Sequence, residues 1–324
     1  MADAEWAGEG MSQEDFMLRD ECLLVDLDDN VVGHSNKYES HILCPERPRA
    51  KLHRAFSVFL FDDSGKLLLQ QRAAEKITFP NVWTNTCCSH PLFGYAPTEV
   101  DTAADVASGE TPGVKRAALR KLKHELGIEP EQLDVKAFKF LTRLHYWAAD
   151  VVTHGKESPF GEHEIDYILF VKAKVDVRPN PEEVSDFKYV TEAELKDMMA
   201  PASGLLWSPW FRIIAERFLG KWWADLDATL TTDVNTDLIT VHRFDCSAEH
   251  LGGGGGAGPW LDLEGCGPAG DKWLAAVLEN EGKAPEDAEE MKPRLVKAED
   301  SNTYSLGPSL QHVHKKPRTE PLTQ

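Results

Sequence analysis

Ala55-Phe-Ser-Val-Phe-Leu-Phe, then Asp62-Asp-Ser-Gly65, then Lys66-Leu-Leu-Leu-Gln-Gln-Arg72 is the stretch that decides the fold. Two apolar runs flank a turn containing glycine, the pattern of a β-hairpin. Upstream, Cys22-Leu-Leu-Val-Asp-Leu-Asp and Val31-Val-Gly read as two short strands turning at Asp28-Asp-Asn30, and a polar, charged stretch from His34 to Arg49 follows. Downstream, Val114, Ala117, Ala118, Leu122 and Leu126 recur at helical spacing, with Gly127 where a C-cap glycine belongs. Ala137 to Tyr146 and Ile165 to Ala173 are strand-like. Thr191-Glu-Ala-Glu opens a capped helix, and Pro209 to Leu226 reads as a longer helix rich in aromatics. This order favours a mixed α/β or α+β domain. Past about Ala228 the glycines Gly252 to Gly256, several prolines and the charged run Glu279 to Asp300 offer little apolar periodicity. The expected organisation is a flexible N-terminus over 1–17, one domain over 18–227, and a low-complexity, largely disordered tail over 228–324. Trp260, Leu261, Trp273 and Leu274 form at most a small docking element in that tail.

The chain has 324 residues, 42% hydrophobic and 27% charged, and no apolar run near the ~20 residues that span a bilayer, so a soluble protein is expected. A net charge of -19 argues against nucleic acid or an anionic membrane as the main partner. It does not exclude a small anion, since a local cluster of Lys and Arg holds a phosphate whatever the distant surface does. Six cysteines, two of them adjacent at Cys87 and Cys88, do not resemble a disulfide framework, and a reducing compartment is expected. Met1 to Gly10 carries acids rather than a transit or signal pattern. The cytoplasm is therefore the expected site, with the plastid open should a transit peptide lie outside this sequence. A monomer is expected.

Candidate chemistry gathers in two segments. In Thr84-Asn-Thr-Cys-Cys-Ser-His-Pro an extended backbone puts Cys88 and His90 on one face, and in Gly161-Glu-His-Glu the same period aligns Glu162 with Glu164, and Asp166 beyond. Acids so close need a cation or protons, unless they are simply solvated on an exposed face. Together with His41 and His53, these residues supply three imidazoles and two carboxylates, a full set for Mn²⁺, Mg²⁺ or Zn²⁺. Taken singly, each histidine reads as a surface or hydrogen-bonded residue, and a lone Cys88 as a small buried hydrophobe. Lys37, Arg72 and Lys76 offer a guanidinium fork and point charges for a diphosphate, or only a solvated face. The same ambiguity holds for Arg116, Arg120, Lys121 and Lys123. Glu125 stands at a helix C-terminus, where the macrodipole disfavours an acid unless a metal compensates. Tyr146 and Trp210 read as core aromatics, or as ring faces for a developing cation. Cys87, on the opposite strand face, is expected in the core.

Leu52-His-Arg-Ala-Phe-Ser-Val-Phe-Leu-Phe, Lys76-Ile-Thr-Phe-Pro, the Cys-Cys-Ser-His-Pro segment, His124-Glu-Leu-Gly-Ile and Gly161-Glu-His-Glu-Ile-Asp-Tyr-Ile-Leu together resemble the type I isopentenyl-diphosphate isomerases of the Nudix superfamily, over about Leu18 to Leu226 and in a eukaryotic, plant or algal form. The resemblance implies an α/β/α sandwich with a mixed sheet, and interconversion of isopentenyl and dimethylallyl diphosphate through a tertiary carbocation. It implies a divalent ion on His41, His53, His90, Glu162 and Glu164, and a diphosphate-bound Mg²⁺ helped by Glu125. Lys37, Arg72, Lys76 and Ser89 would bind the diphosphate; Cys88, Glu164, Tyr146 and Trp210 would be catalytic. The chain departs from the superfamily's hydrolase signature: Val106 and Pro112 replace the expected glycine and acid, and the paired positions read Arg120-Lys121 and His124-Glu125. A nucleoside-diphosphate hydrolase is thus the runner-up, and a non-catalytic metal-binding or interaction module the third reading.

Overall fold

The computed structural model describes residues 6, 8, 10–44, 49–155, 157–246, 261–262, 296–297 and 304–305. The first half runs α1 (Gln13–Arg19), β1 (Glu21–Val25), β2 (Val31–Asn36), α2 (Lys37–His41), β3 (His53–Phe61), β4 (Leu67–Arg72), β5 (Trp83–Thr84), β6 (Cys87–Ser89), α3 (Ala103–Ser108) and α4 (Pro112–Leu126). The second runs β7 (Lys139–Ala149), α5 (Val151–His154), β8 (Gly161–Lys172), β9 (Val184–Val190), α6 (Glu192–Met199), α7 (Pro209–Ile214), α8 (Gly220–Ala224), α9 (Leu226–Thr231) and β10 (Val241–Cys246).

The expected hairpin forms, but its strands part at once. β3 and β4 pair only at Phe61 and Leu67, round a turn in which Asp62 accepts from the Lys66 amide at 2.9 Å. β3 then pairs in parallel with β8 along its whole length, and its other edge takes β6 antiparallel, with Ser57 opposite Cys88. β4 turns away to β5 and β9. With both faces covered, β3 is buried at every position, which explains its continuous apolar reading. Alternate residues enter different cores: Phe59 and Phe61 pack with Trp210, Phe211 and Trp222 under α7 and α8, whereas Phe56, Val58 and Leu60 pack with Ala118, Leu122 and Leu126 of α4. Helices therefore cover both faces of a mixed sheet, the α/β/α arrangement expected.

α4 starts without help from its own Thr111; Asp101 instead accepts from the Gly113 and Val114 amides at 2.5 and 2.9 Å. Gly113 is required there, because a Cβ would lie 2.4 Å from the Glu99 carbonyl oxygen. The helix ends on Gly127 in the left-handed region at φ 59.

The structure departs from the sequence reading at both domain edges. Residues 13–17, expected to be flexible, belong to α1, which has a Ser12–Asp15 capping box and buries Phe16 and Met17. The expected edge at 227 falls within α9, and β10, placed by sequence in the tail, pairs in parallel with β7 from Val241 opposite Arg143 to Cys246 opposite Ala148. A six-residue strand with few apolar groups is carried by that ladder rather than by its own pattern. The single helix expected over Pro209 to Leu226 is α7 and α8 joined by a π-helical turn, Ala215–Leu219, and broken at Asp225. Leu261–Asp262 pairs with β10; in a separate unit, Glu281–Gln324, Val296–Lys297 pairs with Tyr304–Ser305. Trp260, Trp273, Leu274 and most of the expected tail lie outside the described residues. No described helix is long and apolar enough to cross a membrane.

A buried ion network clamps the β1–β2 turn to the sheet. Asp29 accepts from Arg54 Nε and Arg143 Nη1 at 3.0 Å each, and from the Tyr167 hydroxyl. Removing its charge would leave two guanidinium groups buried beside a neutral residue. Asn tolerates the backbone of Asp29, which has φ 67, so Asp29→Asn isolates the electrostatic loss. A destabilisation of about 3–5 kcal/mol in urea unfolding is expected; a loss below about 1 kcal/mol would show that the network is not a clamp.

Candidate active site

One pocket, with an empty volume of about 410 Å³, opens on the α7 face of β3. The small side chains Ala55 and Ser57 leave room on its β3 side. Cys88 reaches it from β6, on one edge of β3, and Glu162 and Glu164 from β8, on the other. Lys37, Arg72, Lys76, Ser89, His41, His90, Glu125, Tyr146 and Trp210 line it too, so all the binding and catalytic residues that the resemblance implies except His53 meet here, whereas Asp166, Arg116, Arg120, Lys121 and Lys123 do not line it. His53 stands just behind, in the metal cluster.

Ligand atoms of His41, His53, His90, Glu162 and Glu164 all lie within 4.8 Å of one another, and all five residues are buried. The possibility that these acids are solvated on an open face is thereby removed. His41 and His53 donate from Nδ1 to the Lys37 and Lys51 carbonyls at 2.6 and 2.8 Å, which turns a bare Nε2 of each inward. His41 Nε2 stands 2.9 Å from Glu162 Oε2 and His53 Nε2 3.5 Å from Glu164 Oε1, yet among the described residues neither Nε2, nor Glu162 Oε2, makes a hydrogen bond of good geometry although all are buried. Inward lone pairs without protons to receive are what a cation would satisfy, and three imidazoles with two carboxylates fit a divalent ion.

Glu164 divides its two oxygens. Oε1 accepts from His90 Nε2 at 2.8 Å on the cluster side, and Oε2 accepts from the Tyr146 hydroxyl at 2.5 Å. Burial alone would raise the Glu164 carboxyl; the His53 imidazole, with Nε2 3.5 Å from Oε1, and then the Tyr146 bond hold it below its usual value. Burial pushes the Tyr146 phenol well up, aided by Glu164, so it remains a neutral donor. Burial also pushes the Cys88 thiol up to about 12, against the pull of Arg72, whose Nη1 is 3.7 Å from the sulfur. A Cys88 thiolate is thus the minor form in the protein alone. Cys87, as expected, packs against α4, with its sulfur 3.3 Å from Glu125 Oε2.

Trp210 is held by its Nε1, which donates to Asn85 Oδ1 at 3.1 Å, while Asn85 itself donates to the Val58 and Cys87 carbonyls. The Arg72 guanidinium does not present the open fork that sequence suggests. Its Nε and Nη2 donate to the Phe79 and Thr78 carbonyls at 2.9 and 2.7 Å, pinning a loop with φ 47 at Phe79, and its Cζ stands 5.7 Å from the Trp210 ring. Only Nη1 is turned to the pocket interior.

Sequence reasoning missed the buried charges behind the cationic wall. Lys76 bonds Glu183, and Lys121, read as one of an ambiguous basic helix face, lies 3.2 Å from Glu125 Oε1. Glu183 sits in Pro181-Glu-Glu-Val, which resembles an ordinary solvated turn, and no local signal marks it. Glu125 is therefore offset by lysine rather than left against the helix dipole, although its Oε1 lacks a hydrogen bond among the described residues.

Residues 51–211 match the NUDIX domain family. An isopentenyl-diphosphate delta-isomerase of Gibberella zeae is 48% identical over 231 residues, covering 71% of this chain and 86% of that protein. Isopentenyl-diphosphate Delta-isomerase I of Camptotheca acuminata is 44% identical, covering 74% of this chain and 97% of that one. The chloroplastic isomerase 1 of Cannabis sativa is 44% identical over 75% of this chain and 81% of its own. The chain belongs to the isopentenyl-diphosphate isomerase family within the Nudix superfamily. Members of that family interconvert isopentenyl and dimethylallyl diphosphate in isoprenoid biosynthesis.

Proposed function

We propose that this pocket carries out that interconversion with two proton-transfer groups approaching from the two edges of β3. An alkene is a very weak base, so moving its double bond requires an acid at one carbon, a base at another, and tolerance of a tertiary carbocation between them. The observation that carries the reading is the joint placement of the Cys88 thiol and the Glu164–Tyr146 pair in one buried pocket. Glu164, with Tyr146 assisting, delivers the proton in the forward direction and Cys88 removes the other; the roles exchange in reverse. Trp210 presents a ring face to the cation, an attraction of roughly 2 kcal/mol or more when desolvated. A dry pocket keeps water from capturing the cation as an alcohol.

Lys37, Arg72, Lys76 and Ser89 bind the diphosphate, which makes the proton transfers effectively intramolecular. His41, His53, His90, Glu162 and Glu164 would hold a divalent ion, Mn²⁺, Mg²⁺ or Zn²⁺, and Glu125 would assist a Mg²⁺ that accompanies the diphosphate. Such ions supply positive charge that sharpens the acidity of Glu164 and neutralises the phosphates. The enzyme acts as a monomer in the cytoplasm or plastid; relatives named chloroplastic support the second.

Incubation with isopentenyl diphosphate and Mg²⁺ or Mn²⁺ should yield an acid-labile allylic diphosphate. Release of inorganic phosphate without allylic product would instead support the hydrolase reading. Dialysis against a chelator should abolish turnover and lower the melting temperature, because an ion at 100 times its Kd contributes about 2.7 kcal/mol to the folded state. Unchanged turnover and melting in the metal-free protein would remove the metal from the mechanism.

A further inference from the structure

Glu183 lies outside the pocket lining and just before β9, yet it is among the most enclosed acids of the domain, with 2% of its surface exposed. Its Oε2 accepts from Lys76, which lines the pocket, and lies 3.9 Å from Lys121; its Oε1 accepts from Gln13 of α1 at 2.8 Å. Its main chain is fixed too, since its carbonyl accepts from the Ala73 amide at 3.0 Å, three residues before Lys76. Two lysines therefore meet two acids in a buried square, but they are not shared equally. Lys121 sits 3.2 Å from Glu125, while Lys76 is 4.0 Å from Glu125 and directly bonded to Glu183. Helix α1 covers this square: Phe16 packs edge-on to His124 at 5.1 Å, and the Lys121 ammonium lies 5.8 Å from the Phe16 ring.

A lysine is a flexible point charge whose placement on an anion depends on what holds it from behind. We infer that Glu183 is a positioning residue for the diphosphate end of the substrate, anchoring the Lys76 ammonium at the pocket wall while Lys121 neutralises Glu125. Glu183 does not touch the reacting carbons, so its loss should weaken binding equally in ground and transition states and leave the chemical step alone. The inference rests on the isomerase reading, and the two fail separately.

The test is steady-state kinetics of Glu183→Gln with isopentenyl diphosphate, alone and in a Lys76→Met background, alongside the wild-type chain. KM should rise about 10- to 100-fold in the single variant, as expected for losing a charged hydrogen-bond partner, with kcat within about threefold. In the Lys76→Met background the same substitution should change KM less than about twofold, because the residue it positions is gone. An unchanged KM, a fall in kcat alone, or an equal effect in both backgrounds would overturn the inference. Should Glu183→Gln be isolated unfolded, Glu183→Asp, which withdraws the carboxylate by one methylene, is measured in the same cycle and must show the same split in smaller measure. A wild-type chain without turnover would instead refute the function itself.

Discussion

Cys88→Ala is expected to lower isomerisation by about 10²–10⁴-fold, the range for loss of a positioned acid or base, while leaving bound metal unchanged. The two halves of that result have separate causes. The sulfur is not among the five clustered His and Glu residues that could hold the ion, so the substitution leaves those donors intact. Within the pocket, Arg72, Trp210 and Tyr146 offer no second group suited to taking a proton from carbon. Arg72 stays charged, and Tyr146 is a buried phenol held on Glu164. Burial also means that the free protein keeps this thiol protonated, with Arg72 as the opposing influence. The forward reaction then draws on the minority form in which the proton sits on Glu164 and the sulfur is a thiolate, whereas the reverse reaction starts from the thiol and carboxylate already present. Retained turnover in Cys88→Ala, measured as allylic product formed, would remove the sulfur from the mechanism.

Glu164→Gln should lower turnover by a similar factor of about 10²–10⁴. Glutamine keeps an oxygen for Tyr146 or for the cluster but has no proton to exchange with an alkene. The Tyr146 hydroxyl, 2.5 Å from Oε2, would lose its charged acceptor and with it the short path between phenol and carboxylate. Metal content separates the two duties of this residue, because Oε1 faces His90 and Oε2 faces Tyr146. A variant that loses its metal tests only the cluster. One that keeps its metal and isomerises at the normal rate would show that another group delivers the proton.

Much of this site was legible because a strand's two-residue period is simple. Cys88 with His90, and Glu162 with Glu164, share faces for geometric reasons alone, and the long-range meeting of those faces with His41 and His53 came from the resemblance rather than from spacing. The alternation of β3 was hidden, since both faces are buried and read as one apolar run. What stayed illegible depends on partners distant in sequence. Arg72 looks available until the carbonyls of Thr78 and Phe79 are placed against it. Glu183 looks solvated until Lys76, Lys121 and Gln13 close round it. The N-terminal helix was missed because its short apolar pair, Phe16 and Met17, acquires meaning only beneath α4's basic end. β10 was missed for the same reason, its ladder being supplied by β7.

The most direct measurement is isomerisation of isopentenyl diphosphate in D₂O with Mg²⁺, stopped at the first few per cent of product. With separate donor and acceptor groups on the two edges of β3, the donor exchanges with solvent before each turnover, and the dimethylallyl product should carry one deuterium in its newly formed methyl group. Product free of deuterium would mean that a single group recycles one proton, and would contradict the paired roles of Glu164 and Cys88.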